Sequence, residues 1–193
     1  MDNKISLNNN YDMFSFDETC QDLDFLKKYM INTLYISEGD IELKISNENE
    51  DHVIALNKGK GLVFTSNTKI TLIKNQAKII IVSSLDNNNA IIEIEDNEGV
   101  RVEKELINYR IIENPKKVYK PWGHEIWISW FKNHHVLKKI FMKTGNKCSL
   151  QFHREKSETN LIVEGKARVM KGIIIEKDLD EKQSLEKFNS IAD

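Results

Sequence analysis

Short apolar stretches rich in Ile, Val, Thr and aromatic residues recur along most of the chain and constrain its fold most strongly. Between residues 31 and 84 they read INTLYIS, DIELKIS, HVIAL, GLVFTS, KITLI and AKIIIVSS. Turn signals separate them, at residues 38–40, 47–49, 58–61, 66–67 and 74–76. Strands at such short spacing are typical of a sandwich or barrel. The sequence therefore predicts an all-β fold.

A polar break at residues 86–89 is followed by two further stretches, AIIEIE and VRVEKEL. The two prolines, Pro115 and Pro121, come next and mark the predicted domain junction. A second series with the same rhythm then reads HEIWISWF, VLKKIFMK, SLQFH, TNLIVEG and KARVMKGIII. We therefore expect four parts, namely a disordered tail (1–11), a first β domain (12–107), a linker (108–120) and a second β domain (121–193).

Composition excludes several classes of function. The 193 residues are 40% hydrophobic and 30% charged, as in ordinary globular proteins. A formal net charge of −2 gives no electrostatic case for binding nucleic acid or an anionic membrane. No apolar run approaches the roughly 20 residues of a membrane span, and we see no secretory signal. Cys20 and Cys148 lack CxxC spacing, so we expect reduced thiols in a cytoplasmic protein.

The candidate metal-ligating residues lie between Gly145 and Gly165, where the chain reads GNKCSLQFHREKSETNLIVEG. Gln151 and His153 are two residues apart on a predicted strand, so their side chains leave the same face. Glu158 follows a tight turn and can reach the same point. An amide oxygen, an imidazole nitrogen and a carboxylate oxygen suit a divalent transition ion such as Mn, Fe, Co, Ni or Zn. A polar cluster left over from an ancestral metal site is the alternative.

The spacing of this segment resembles the first motif of cupins, G-x5-H-x-H-x4-E-x6-G, with Gln151 in place of the first His. Together with VYKPWGHEIW upstream, it is similar to the cupin domain of type II mannose-6-phosphate isomerases over about residues 118–172. The resemblance implies a barrel that binds a divalent metal and interconverts mannose 6-phosphate with fructose 6-phosphate. In such a reaction the metal polarises the carbonyl group while a base moves a proton through an enediol. No residue stands out as that base.

The sequence departs from the cupin pattern after Gly172. The second motif, G-x5-P-x-G-x2-H-x3-N, should supply the last metal ligand there, yet no Pro or His follows before Asp193. We therefore expect either a fragment or an unfinished second barrel with a weak metal site. The first half resembles a degenerate cupin without metal ligands, in which Gly39 ends the motif and Asn32 takes the glutamate position. The expected fold is thus a tandem pair of cupin-like barrels, the second incomplete.

Positive charge around the second barrel indicates a place for a phosphate group. Lys143, Lys147 and Arg154 are the candidate substrate-binding residues, since phosphate prefers Lys and Arg partners. A solvated lysine-rich surface is the alternative. His134 and His135 are expected in a solvated hairpin turn, and the tryptophans at 122, 127 and 130 in strand packing, with a sugar-stacking platform as the alternative.

Two functions stay open at this point. The first is a sugar-phosphate isomerase-like enzyme of nucleotide-sugar or surface-polysaccharide metabolism. The second is a non-catalytic cupin that binds a sugar or a protein partner. The expected ligand is a small-molecule sugar phosphate, and we expect no nucleic acid or membrane partner. We also expect a homodimer, because an unfinished sheet exposes edges that a second chain can cover.

Overall fold

The computed structural model describes residues 3–8, 11–20, 22–46, 50–85, 90–95, 101–132, 134–148 and 158–168. Within these residues the chain is almost entirely β, with one short 3₁₀ helix at Asp24–Lys28, and the all-β fold is confirmed. The strands are β1 (Asn3–Asn8), β2 (Tyr11–Phe16), β3 (Ile31–Ser46), β4 (Asp51–Asn57), β5 (Gly61–Thr65), β6 (Lys69–Ser84), β7 (Ile91–Glu95), β8 (Arg101–Glu105), β9 (Tyr109–Ile112), β10 (Lys116–Lys120), β11 (Gly123–Trp130) and β12 (Val136–Met142).

Every strand pair is antiparallel, which is consistent with a cupin or jelly-roll fold. A seven-stranded main sheet has the order β1-β2-β6-β3-β5-β9, with β4 also paired to β3. A three-stranded sheet has the order β10-β11-β12, and β7 pairs with β8. All of these strands belong to one compact unit, residues 1–144, and a second unit spans 145–193. No helix in the described part of the chain is long and apolar enough to cross a membrane.

Strands β3 and β6 are each continuous over 16 residues, although turn signals predicted a chain reversal in the middle of both. The prediction of a reversal at residues 38–40 is wrong, because Gly39, at φ +74°, stays paired with Ala77 of β6. Two β-bulges interrupt the pairing of these strands. Ser37 of β3 has no register partner in β6, and Ile73 of β6 has no register partner in β3. Each bulge shifts the alternation of buried residues by one position, so that both halves of the strand face the same core.

The larger core lies on one face of the main sheet. It takes Leu34 and Ile36 before the β3 bulge, and Ile41 and Leu43 after it, all fully buried. The opposite face carries a smaller core that includes Ile31, Val63, Ile92 and Phe131. Because Phe131 follows β11 and Ile92 lies in β7, this second core fixes the two smaller sheets against the main sheet.

Two segments expected to lack regular structure contain strands. Asn3–Asn8, within the expected tail, forms β1 and pairs with β2. The expected linker, residues 108–120, contains β9, paired with β5, and β10, paired with β11. The division into two cupin-like domains stays a prediction.

The second unit is described at residues 145–148 and 158–168. Residues 158–168 form no strand, contrary to the expectation for TNLIVEG, and Leu161, Ile162 and Val163 are exposed. A strand forms only where a neighbouring strand pairs its N–H and C=O groups, and the described residues provide none for this segment. The predicted strand SLQFH and the second half of KARVMKGIII lie outside the described residues.

Candidate functional site

One face of the β10–β11–β12 sheet groups two tryptophans with a paired acid and base. Trp127 of β11 lies opposite Lys138 of β12, and Glu125 lies opposite Ile140. A bulge at Ile128 brings Trp130 to the same side as Trp127, so that their ring centroids are 5.0 Å apart at 39°. We call Glu125, Trp127, Trp130 and Lys138 the tryptophan face.

The charged groups of the tryptophan face are held against the indole rings. The Lys138 ammonium lies 4.2 Å from the centroid of the Trp127 ring and 5.5 Å from that of Trp130. Trp127 Nε1 donates a hydrogen bond of 2.7 Å to Glu125 Oε2, which also lies 3.5 Å from Lys138 Nζ. Aromatic rings beside paired charges are suited to contact both the apolar faces and the hydroxyls of a sugar ring.

Glu125 is held in its ionised form. Partial burial raises the pKa of its carboxyl, but the hydrogen bond from Trp127 and the positive charge of Lys138 outweigh burial and lower the pKa below the usual value. A carboxylate with a lowered pKa is a weak base at neutral pH. The Glu125 carboxylate is therefore a hydrogen-bond acceptor beside the two indole rings.

Three of the six predicted metal and phosphate ligands lie outside the described residues. Gln151, His153 and Arg154 lie there, whereas Glu158, Lys143 and Lys147 are described and exposed. No group of three or more His, Cys, Asp or Glu side chains within the described ranges could hold a metal ion. The metal site and the phosphate ligands stay predictions.

A buried polar cluster links the main sheet to the β11–β12 hairpin, and sequence reasoning missed it. The Thr33 hydroxyl lies 2.9 Å from Ser129 Oγ and 2.9 Å from His135 Nε2. The hairpin turn predicted at His134 and His135 is confirmed, since Phe131 N–H donates to the His135 carbonyl at 2.9 Å. The expectation that His135 is solvated is wrong, because its Nδ1 is shielded from solvent.

The environment of His135 keeps its ring neutral. Burial, and to a smaller extent the neighbouring His134, lowers the pKa of His135 from 6.5 to about 3. The ring also packs against Phe131, with centroids 5.2 Å apart. A neutral imidazole bonded to a threonine hydroxyl in this setting stabilises the sheet contact. No local sequence signal could have found the cluster, since Thr33 and His135 are 102 residues apart.

Asn32, predicted to take the cupin glutamate position in the first half, is a buried amide. Asn32 Oδ1 accepts a hydrogen bond of 2.7 Å from Ser83 Oγ, and its Nδ2 donates to the Tyr29 carbonyl at 3.4 Å. These contacts engage the Asn32 amide within the main sheet.

Comparison with known proteins supports the sequence resemblance for the second half of the chain. Residues 107–186 match the family model described as mannose-6-phosphate isomerase C-terminal, and this range contains the tryptophan face. The resemblance predicted from the motifs is thereby confirmed over that segment. A search of curated proteins gave no match.

Among solved structures, the chain is similar to a candidate DNA-binding protein from Bacteroides thetaiotaomicron. The identity is 11%, the TM-score is 0.27, and the match covers 54% of this chain and 97% of that one. A TM-score this low supports no inference about fold or function.

Proposed function

We propose that residues 107–186 form a cupin domain of the mannose-6-phosphate isomerase type that acts on a phosphorylated sugar. The match to the isomerase C-terminal family over these residues carries the proposal. The gap-free spacing from Gly145 to Gly165 supports it. We place this activity in the cytoplasm, in nucleotide-sugar or surface-polysaccharide metabolism.

In this proposal Gln151, His153 and Glu158 hold one divalent ion, Zn, Mn, Fe, Co or Ni. Their mixed nitrogen and oxygen donors fit a first-row metal, and the exposed Glu158 is accessible to one. When bound, such an ion supplies a Lewis acid for a sugar carbonyl. Lys143 and Lys147, both exposed, would bind the phosphate together with Arg154.

The test combines metal binding with turnover in the full chain. Calorimetric titration with each of the five ions should show one site in the parent, strongly weakened in His153→Ala and unchanged in the control His52→Ala, whose side chain lies on β4. The metal-loaded parent should convert mannose 6-phosphate to fructose 6-phosphate. Equal metal binding by the parent and His153→Ala would contradict the metal site.

A second candidate is a non-catalytic cupin that binds the sugar phosphate without converting it. The packing of Trp127 and Trp130 beside the Lys138–Glu125 pair favours this function, because the tryptophan face offers contacts to a sugar ring without a metal. Mannose 6-phosphate should then change the fluorescence of Trp127 and Trp130, while no fructose 6-phosphate forms even with metal supplied. Turnover would exclude this candidate.

We also propose that the protein is a homodimer that pairs through β12. This strand lies at an edge of its sheet in the described part of the chain, and its Ile140, Phe141 and Met142 are exposed. An exposed apolar edge strand is a template for pairing with a second chain.

A further inference from the structure

A cleft of about 300 Å³ lies within the first compact unit, away from the tryptophan face. The turn between β4 and β5 forms one side of it, and residues 113–117 form another. Lys58, Lys60 and Lys117 line it together with a single acid, Glu113. We call it the lysine cleft.

The charge of the lysine cleft is positive although the whole chain carries −2. Glu113 is paired with Lys60 at 2.5 Å and neutralises that lysine. Lys58 and Lys117 are both exposed, and they leave an excess of positive charge in the cleft.

Lys139 adds to this charge from the next strand. Its ammonium lies 5.9 Å from the centroid of the Tyr35 ring, and Tyr35 is part of the cleft lining. Burial lowers the pKa of His124 most, and the positive charges of Lys117 and Lys139 lower it further. Glu38 of β3 is paired with Lys78 at 2.8 Å, and after Lys78 the charges of Lys58 and Lys139 also lower the pKa of its carboxyl.

The backbone of the β4–β5 turn does not supply the anion donors. The N–H groups of Lys58, Gly59 and Lys60 donate to the carbonyls of Gly39, Ile36 and Asn57 at 2.9–3.0 Å. The side chains of the lysines and of Asn57 and Asn114 are therefore the donors that can meet an anion. A Cβ on Gly59 would meet no atom within 4 Å, so the space above the turn is open to a ligand.

The remaining lining combines the amide side chains of Asn57 and Asn114 with the apolar groups of Tyr35, Pro115 and Ile126. Lysine binds phosphate as a point charge, and the volume lies at the lower end of the range for small-molecule sites. We propose that the lysine cleft binds a small phosphorylated organic ligand, with the phosphate between Lys58 and Lys117 and the organic part against Tyr35 and Ile126. This site does not depend on the proposed metal site.

The test is calorimetry on the full chain at low ionic strength, with EDTA present to remove any metal-dependent binding. Inorganic phosphate and mannose 6-phosphate are the two probes. Lys58→Gln and Lys117→Gln should each weaken binding at least five-fold, because each removes one charged partner. The control Lys74→Gln, an exposed lysine of β6 paired with Asp40 outside the cleft, should bind like the parent.

The outcomes separate the lysine cleft from the metal site. His153→Ala should leave binding in EDTA unchanged, and loss of binding there would assign the ligand to the metal site instead. Tighter binding of mannose 6-phosphate than of phosphate, reduced by Ile126→Ala, supports an organic ligand. Equal affinity for the two probes overturns the role of the apolar lining. Absence of binding, or equal weakening by Lys74→Gln, overturns the site.

Discussion

Thr33 on β3 and His135 in the turn between β11 and β12 are joined by a hydrogen bond of 2.9 Å. Ser129 on β11 shares the same threonine hydroxyl at 2.9 Å. The bond lies beside the smaller core, where the His135 ring contacts Phe131. It therefore connects the three-stranded sheet to the main sheet through the buried hydroxyl of Thr33.

The stability of the protein should fall as the pH is lowered below about 6.5. The folded state keeps His135 neutral down to a pKa of about 3, whereas the unfolded chain takes up the proton near 6.5. Between these values the unfolded state binds more protons, so each pH unit lost costs about 1.4 kcal/mol of unfolding free energy. Urea denaturation at a series of pH values from 7 to 5 measures the slope.

Two variants separate His135 from other titrating groups. His135→Gln cannot take up the proton in either state, so its slope over this range should be clearly smaller than that of the parent. His52→Gln removes a histidine whose side chain is 43% exposed and should keep the parental slope. Carboxyl groups titrate mainly below this range, at about 4. Equal slopes for the parent and His135→Gln would contradict the prediction.

Gly39→Ala should destabilise the protein far more than Gly59→Ala. Both glycines have positive φ, +74° and +92°, so either substitution costs about 1–2 kcal/mol of backbone strain. At Gly39 the new Cβ would also lie 1.9 Å from the Gln76 carbonyl oxygen, whereas at Gly59 it meets nothing within 4 Å. We expect a total of roughly 2–5 kcal/mol for Gly39→Ala in urea denaturation. Similar losses for both variants would contradict the close approach of β3 and β6.

The close approach of β3 to β6 at Gly39 shows which parts of the fold the sequence could predict and which it could not. Short apolar stretches located most of the strands correctly, because each half of β3 and β6 contains such a stretch. At Ser37 and Ile73 the phase of alternation changes, and Gly39 looks like a turn residue. Only the pairing with the partner strand, a long-range property, shows that the chain continues straight on through a bulge.

The tryptophan face illustrates the same limit. Three positions separate Trp127 from Trp130, and in a regular strand that spacing places the two side chains on opposite faces. The bulge at Ile128 puts them on one face, where Lys138 covers both rings. The resemblance to the isomerase family, by contrast, can be read directly from the sequence because it depends on local motifs, and the family match over residues 107–186 confirms it.

Tyr29→Phe should cost about 1–3 kcal/mol of unfolding free energy. The Tyr29 hydroxyl donates a hydrogen bond to the Asp12 carboxylate, and both residues are buried. Burial first, and then this bond, raise the pKa of Tyr29, so the hydroxyl stays protonated as a donor. The phenylalanine ring keeps the edge contact with Phe14 but withdraws a donor from a buried charge.

Tyr119→Phe is the matched control, because Tyr119 is 76% exposed. This variant should lose less than about 0.5 kcal/mol of unfolding free energy, as is usual for a surface substitution. Chemical denaturation at neutral pH measures both variants. A loss for Tyr29→Phe no larger than that for Tyr119→Phe would show that the buried bond contributes nothing net.

Light scattering at micromolar concentration should give the parent a mass near twice the 22.5 kDa of one chain. Ile140→Lys should give monomers, because it places a charge beside the β12 edge, where strand pairing would bury the side chain. The control Ile107→Lys also changes an exposed isoleucine, 66% exposed against 45% for Ile140, but in the turn between β8 and β9. It should stay dimeric. A monomeric parent would refute the dimer, and a dimeric Ile140→Lys would move the interface away from β12.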